Sequence, residues 1–169
     1  MRTLAIAALL ILSSSPARAQ APAPPDSLLD RMVGKWILQG TIAGSATTHD
    51  VDVEWVLGHE YVRLHEVSRE RAPVGAAAYE ALVLIGLNGK SSGYDCLWLD
   101  STGGGGLNAQ AIGHAPREPD RLAFLFDIGG SPFHTTFVYD ASANTWRWLM
   151  DGERDGKLEP FARVTLSPR

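Results

Sequence analysis

The chain lacks most of the features that quickly betray a function. A single cysteine in 169 residues, Cys96, excludes an internal disulfide, so stability must come from packing. Its place between Tyr94 and Trp98 on an apolar stretch predicts a buried thiol. Positive charge is not in surplus: 15 Lys and Arg stand against 19 Asp and Glu, a formal charge of −4. A mildly acidic chain with scattered basic residues has no electrostatic footprint for nucleic acid or an anionic membrane. After Gly34 there is no convincing 3.6-residue period, and no repeat of propeller or solenoid length occurs.

Only one long apolar run is present, Leu4 to Leu12, and it is too short to span a bilayer. Arg2 precedes it and Ala17-Arg18-Ala19 follows, so residues 1–19 read as a signal peptide with the mature start at Gln20. The expectation is a periplasmic or secreted protein. No cysteine near the junction and no second apolar run predict no membrane anchor. Losing Arg2 and Arg18 would take Lys plus Arg from 15 to 13 and the charge from −4 to −6. Residues 20–25 (QAPAPP) have the composition of a flexible spacer, leaving one domain over 26–169.

Within that domain, Asp26 or Ser27 can cap a short helix whose Leu28, Leu29 and Met32 share a face, ending at Gly34. Short alternating segments follow, broken by turn residues about every 10 to 14 positions, as in an antiparallel barrel or sandwich. The pattern predicts strands over 35–43, 48–57, 61–69, 78–87, 93–100, 106–113, 121–128, 133–139, 145–151 and 158–166. Asn88-Gly89 and Asp155-Gly156 are the strongest hairpin signals. Gly129-Gly130-Ser131 and 141–144 read as looser connections. Val51, Val53 and Trp55 oppose Asp52 and Glu54, and Trp146, Trp148 and Met150 oppose Arg147 and Asp151. Strands with one apolar and one charged face sit between core and water, and so many of them are best protected by closing the sheet. The expected fold is therefore all-β: a single antiparallel up-and-down barrel of about 8–10 strands with a short N-terminal helix.

Candidate chemistry is sparse. Asp52 and Glu54 share a strand face about 6–7 Å apart, as a two-carboxylate hydrolase requires, but their apolar neighbours claim the interior. The run Thr102 to Gly106 has neither the Lys-Ser/Thr nor the helix of a phosphate cradle, and reads as a turn. The five histidines are dispersed and show no metal-ligand spacing, so no metal is expected. No cofactor is expected either, although His65 or His134 could serve as the axial ligand of a non-covalent haem. No Gly-x-Ser-x-Gly elbow marks a serine hydrolase. Most informative is Tyr61, Arg63 and His65, which alternate with Val62 and Leu64. Facing inward, they would line a pocket with a phenol, a guanidinium and an imidazole. With Val62 and Leu64 inward instead, they form a solvated face.

Gly34-Lys35-Trp36 after a short helix, with strands throughout the rest, resembles the calycin group, the lipocalins and their relatives. Leu57 to Val62, Tyr79-Glu80, Leu84-Ile85-Gly86 and above all Trp98-Leu99-Asp100-Ser101 are similar to a lipocalin-like family of exported bacterial proteins of unknown function. Leu87-Asn88 stands where that family carries Gly-Tyr-Asp, and Gly93-Tyr94-Asp95 comes after the turn. The resemblance implies that Trp36 packs beneath Arg163, closing one barrel end by a cation–π contact of about 1–2 kcal/mol. It also implies a lumen that binds a small, largely apolar molecule. With the Tyr61 row inward, a ligand carboxylate would lie on Arg63 and its body against Trp98 and Trp148. An isomerase, cyclase or small-molecule hydrolase using Tyr61, Arg63 or His65 is the alternative, and a filled, purely structural barrel a third. Oligomeric state is left open.

Overall fold

Alternation of apolar and polar residues is followed almost position for position by the strands that form. A computed structural model describes residues 27–73, 75–103 and 106–169. The expected signal peptide (1–19), the spacer (20–25), Asp26 and the glycines at 104 and 105 lie outside the described residues. One short helix, α1 (Ser27–Met32), leads into ten strands. These are β1 (Gly34–Ile42), β2 (Ser45–Val56), β3 (Tyr61–Ser68), β4 (Glu80–Leu87) and β5 (Tyr94–Asp100), then β6 (Ile112–Ala115), β7 (Arg121–Ile128), β8 (Ser131–Asp140), β9 (Thr145–Arg154) and β10 (Lys157–Pro168). Each strand pairs antiparallel with its sequence neighbours, and β1 pairs with β10 to close the barrel. Closure pairs the first strand with the last, which answers the hazard that so many short strands would otherwise pose, and the seam is thinnest at β6–β7, where His114 pairs with Leu125.

Turn chemistry explains the departures from expectation. Asp155-Gly156 makes the tight hairpin foreseen, both residues having positive φ (51° and 71°) between paired Arg154 and Lys157. Gly129-Gly130 turns just as tightly, at φ 63° and 83° between paired Ile128 and Ser131, so it is not a loose connection. Asn88-Gly89, in contrast, does not form a two-residue turn. The Asn88 side chain accepts the Lys90 and Ser91 amides (2.8 and 3.0 Å), and the loop closes only at the Asn88 N–H to Gly93 carbonyl bond of 2.9 Å. The strand expected over 106–113 starts at Ile112, because Asn108 accepts the Gln110 amide at 2.8 Å and nucleates a 3₁₀ turn, Ala109–Ala111.

Inward positions fill the middle of the barrel with Leu38, Val51, Leu64, Val83, Cys96, Phe124, Phe137, Trp148 and Val164. Cys96 is a free, buried thiol, and burial pushes its pKa well above the ordinary value. One end is corked by α1, whose Leu28, Leu29 and Met32 are buried. Three indoles anchor this cork: Trp36 donates to the Met32 carbonyl (2.9 Å), Trp55 to Asp30 Oδ1 (2.9 Å) and Trp146 to the Arg31 carbonyl (3.3 Å). The Arg31 guanidinium lies 5.3 Å from the Tyr139 ring centre.

The stack expected between Trp36 and Arg163 does not form. Trp36 pairs with Pro168 on β10, whereas Arg163 pairs with Thr41, roughly 16 Å further along at the usual strand rise. Arg163 alternates with buried Ala162 and Val164, so it faces outward, where it binds Asp151 (2.5 Å) and the Met150 carbonyl (2.9 Å). The Gly-x-Trp opener thus serves the helix cork, and a cation lying over an aromatic ring at that end is Arg31, on Tyr139.

Candidate functional site

At the end opposite α1 the barrel opens into a cavity of about 640 Å³, inside the range of about 300–1,000 Å³ usual for small-molecule sites. Its apolar walls come from Ile42, Trp98, Phe126, Phe133, Met150 and Phe161. Below them Trp98 meets Trp148 (ring centres 5.4 Å), and Trp148 stacks on Phe137 (4.3 Å), forming the floor. The aromatic residues therefore fill the middle of the barrel without blocking its open end. Thr102, Gly103 and Gly106 border the mouth, so the flanks of the glycine-rich run lie at the entrance.

Polar groups enter this cavity mainly from β2, β3 and the segments beside β4 and β5. The Val51, Val53, Trp55 face of β2 continues backward to His49 and Thr47, and the Val62, Leu64 face of β3 continues forward to Glu66 and Ser68. His49 and Glu66 are both buried, with side chains 4% and 1% exposed, and His49 Nδ1 shares a very short hydrogen bond with Glu66 Oε1. On its other side His49 Nε2 lies 2.7 Å from Thr47 Oγ1. Thr47 donates to Glu70 Oε2 at 3.1 Å, and Ser68 donates to the same oxygen at 2.6 Å. Glu70 Oε1 accepts the Thr48 amide at 3.1 Å. Tyr79 stacks on His49 (5.8 Å). Asp100 completes the polar lining and accepts the Thr102 amide at 2.8 Å.

Environment pulls these acids apart. Burial pushes the Glu66 carboxyl up, with the Asp100 charge adding to it and His49 partly opposing it. Burial likewise raises the Tyr79 phenol, helped by Glu66 and Asp100. The Ser68 hydroxyl, with the Thr48 amide and Thr47, holds Glu70 down at about 2. Glu66 Oε2 is buried without a hydrogen-bond partner among the described residues. An orphaned carboxyl oxygen at a cavity wall is costly and marks a place where a ligand group would be favourable.

The Tyr61 row lies elsewhere. Val62 and Leu64 are fully buried, and Tyr61, Arg63 and His65 point to the outside of the barrel. Tyr61 covers Gly86 on the neighbouring strand, where a Cβ would stand 2.6 Å from its ring. Arg63 pairs with Glu54, and His65 with Glu80 at 2.7 Å. Of the expected ligand-binding residues, Trp98 lines the cavity, Trp148 lies behind it, and Tyr61, Arg63 and His65 do not reach it. The physical reason is that a strand also carrying Glu66 and Ser68 keeps its apolar members inward and sends its larger charged run to water, where partners on β2 and β4 await it. His65 and His134, each paired with a surface carboxylate, do not face the lumen as a haem ligand would. Asp52 and Glu54 are solvated ion-pair partners of Lys35 and Arg63, as their apolar neighbours implied. No group of three or more His, Cys, Asp or Glu positioned to hold a metal occurs among the described residues.

His49 and Glu66 are the functional candidates that residue-by-residue reading passed over. Their signal was present: extending the inward face of each strand by one alternation places both inside. Tyr79 and Asp100 stand in stretches that carried the family resemblance, without a role attached.

No protein-family model matches this chain, and comparison with curated proteins finds no relative.

Proposed function

We propose that this barrel binds a small, largely apolar molecule in its open end, with the polar part of that molecule at the Glu66–His49–Tyr79 cluster. The observation that carries the reading is the orphaned Glu66 Oε2 on the wall of a largely apolar cavity of about 640 Å³. The reading includes export, which the expected signal peptide over residues 1–19 supports, and kinship with the lipocalin-like group, with which a corked barrel accords. A carboxylate held by Arg63 is no part of it, because Arg63 faces away from the lumen.

Proton-transfer catalysis is the second reading, and the buried Glu66–His49 pair favours it. A carboxyl raised by burial and bonded to an imidazole is a common acid–base arrangement. Such chemistry would use His49, Glu66 and Tyr79 in place of the Tyr61 row.

Binding is tested with the neutral dye N-phenyl-1-naphthylamine. The expected result is a saturable fluorescence rise at one dye per chain, abolished by Ala111→Trp, which fills the cavity from its wall. A rise that does not saturate, or that survives the filled cavity, counts against the lumen as the site.

A further inference from the structure

The proton inventory of the polar cluster limits what the ligand can be. Thr47 has one hydroxyl proton and gives it to Glu70, so His49 Nε2 must be the donor in the 2.7 Å contact with Thr47 Oγ1. The short contact between His49 Nδ1 and Glu66 Oε1 then holds one further proton, whichever atom it rides on. With that proton shared, the buried pair is neutral as a unit.

What remains facing the cavity is one-signed. Glu70 is held ionised by three donors, and Asp100 lines the same space. Among the described lining residues there is no lysine or arginine to balance them. An anionic ligand would meet uncompensated like charge in a partly desolvated space, whereas a cation would meet carboxylates and the faces of Tyr79 and Trp98. Glu66 Oε2 is buried with no donor on it among the described residues, so its acceptor capacity is unfilled on a residue that lines the cavity.

We infer that the lumen selects a lipophilic amine: an apolar body in the aromatic cavity and a protonated nitrogen donating to Glu66 Oε2, with Asp100 as the flanking charge. This rests on the lumen being a binding site, and the test separates the two statements. Octylamine, octanoate and octan-1-ol share one apolar body and differ in charge, and each is titrated calorimetrically into the unaltered chain at neutral pH. Octylamine is expected to bind about tenfold more tightly than octanoate, the effect of one charge-assisted hydrogen bond gained against one like-charge contact. Glu66→Gln and Asp100→Asn should each shrink that ratio. Octanoate binding as tightly as octylamine overturns the amine preference and leaves an apolar lumen standing. Failure of all three compounds to bind removes the lumen reading itself. An unchanged ratio in both variants overturns the assignment to these carboxylates. Comparison of the three compounds needs no variant, so a misfolded variant cannot hide the answer.

Discussion

Glu66 is expensive where it stands. A carboxyl 1% exposed, with one oxygen bonded to His49 and the other unpartnered, is tolerated only because a proton or an imidazolium offsets its charge. Its folded pKa is raised above the ordinary glutamate value of 4.5, so between 4.5 and that raised value the native state holds more protons than the unfolded chain. Glu66 therefore costs nothing below pH 4.5, and its penalty grows as pH rises from there to the raised value and is constant above it. Glu66→Gln removes the ionisation and keeps an amide N–H to offer His49 Nδ1. The variant should melt about 2–4 °C above the parent at pH 8, roughly 1 kcal/mol for a domain of this size, with the gap closing near pH 4. Thermal unfolding at the two pH values checks this, and a gap independent of pH would exclude the buried carboxyl as its source.

At the scale of elements, the six residues of α1 matter out of proportion to their length. A single short helix is not stable alone, so its order comes from burying Leu28, Leu29 and Met32 against the barrel and from three indole hydrogen bonds. Removing the cork would open the apolar middle of the barrel to water at the end away from the cavity. Met32→Ala should cost about 2–5 kcal/mol, as for other buried large-to-small changes. Trp55→Phe, which loses the bond to the exposed Asp30 and trims the ring stacked on His59, should cost about 0.5–1.5 kcal/mol. Urea denaturation measures both, and equal costs would mean that α1 is held by its polar contacts more than by its buried face.

Across the whole molecule, most charges form an outer shell, and the carboxylates held below their ordinary pKa are on it or at the rim. Asp50 is held at about 2 by Arg69, which grips it through two nitrogens at 3.0 and 2.7 Å, and by Arg169. Glu70 is also held at about 2. Both folded values lie below the ordinary 3.8 and 4.5, so their contributions are complete above those values and are lost as pH falls toward 2. Being well exposed, each contributes modestly. The urea midpoint should fall between pH 4.5 and 2, and fall less in an Asp50→Asn, Glu70→Gln double variant. An equally steep fall in that variant would place the acid sensitivity elsewhere.

Local pattern determined a great deal here. Period-two alternation, turn residues and one capped apolar face sufficed for most of the strands, for closure, for the short helix and for the buried Cys96, because each depends on near neighbours in the chain. The same alternation held the inward positions of His49 and Glu66. Which face of Tyr61 to Ser68 turned inward was not local: it depends on the register with β2 and β4, which gives Arg63 and His65 their carboxylates across the sheet. The partner of Trp36 was likewise decided in three dimensions. Closing β10 on β1 puts Pro168 beside Trp36 and carries Arg163 toward the other end, leaving the indole to the helix. The Glu66–His49 pair, 17 residues apart in sequence, exists only because β2 and β3 fold back on each other beneath an open mouth. Burial and mutual contact create its chemistry, and neither is a property of any one stretch of the chain.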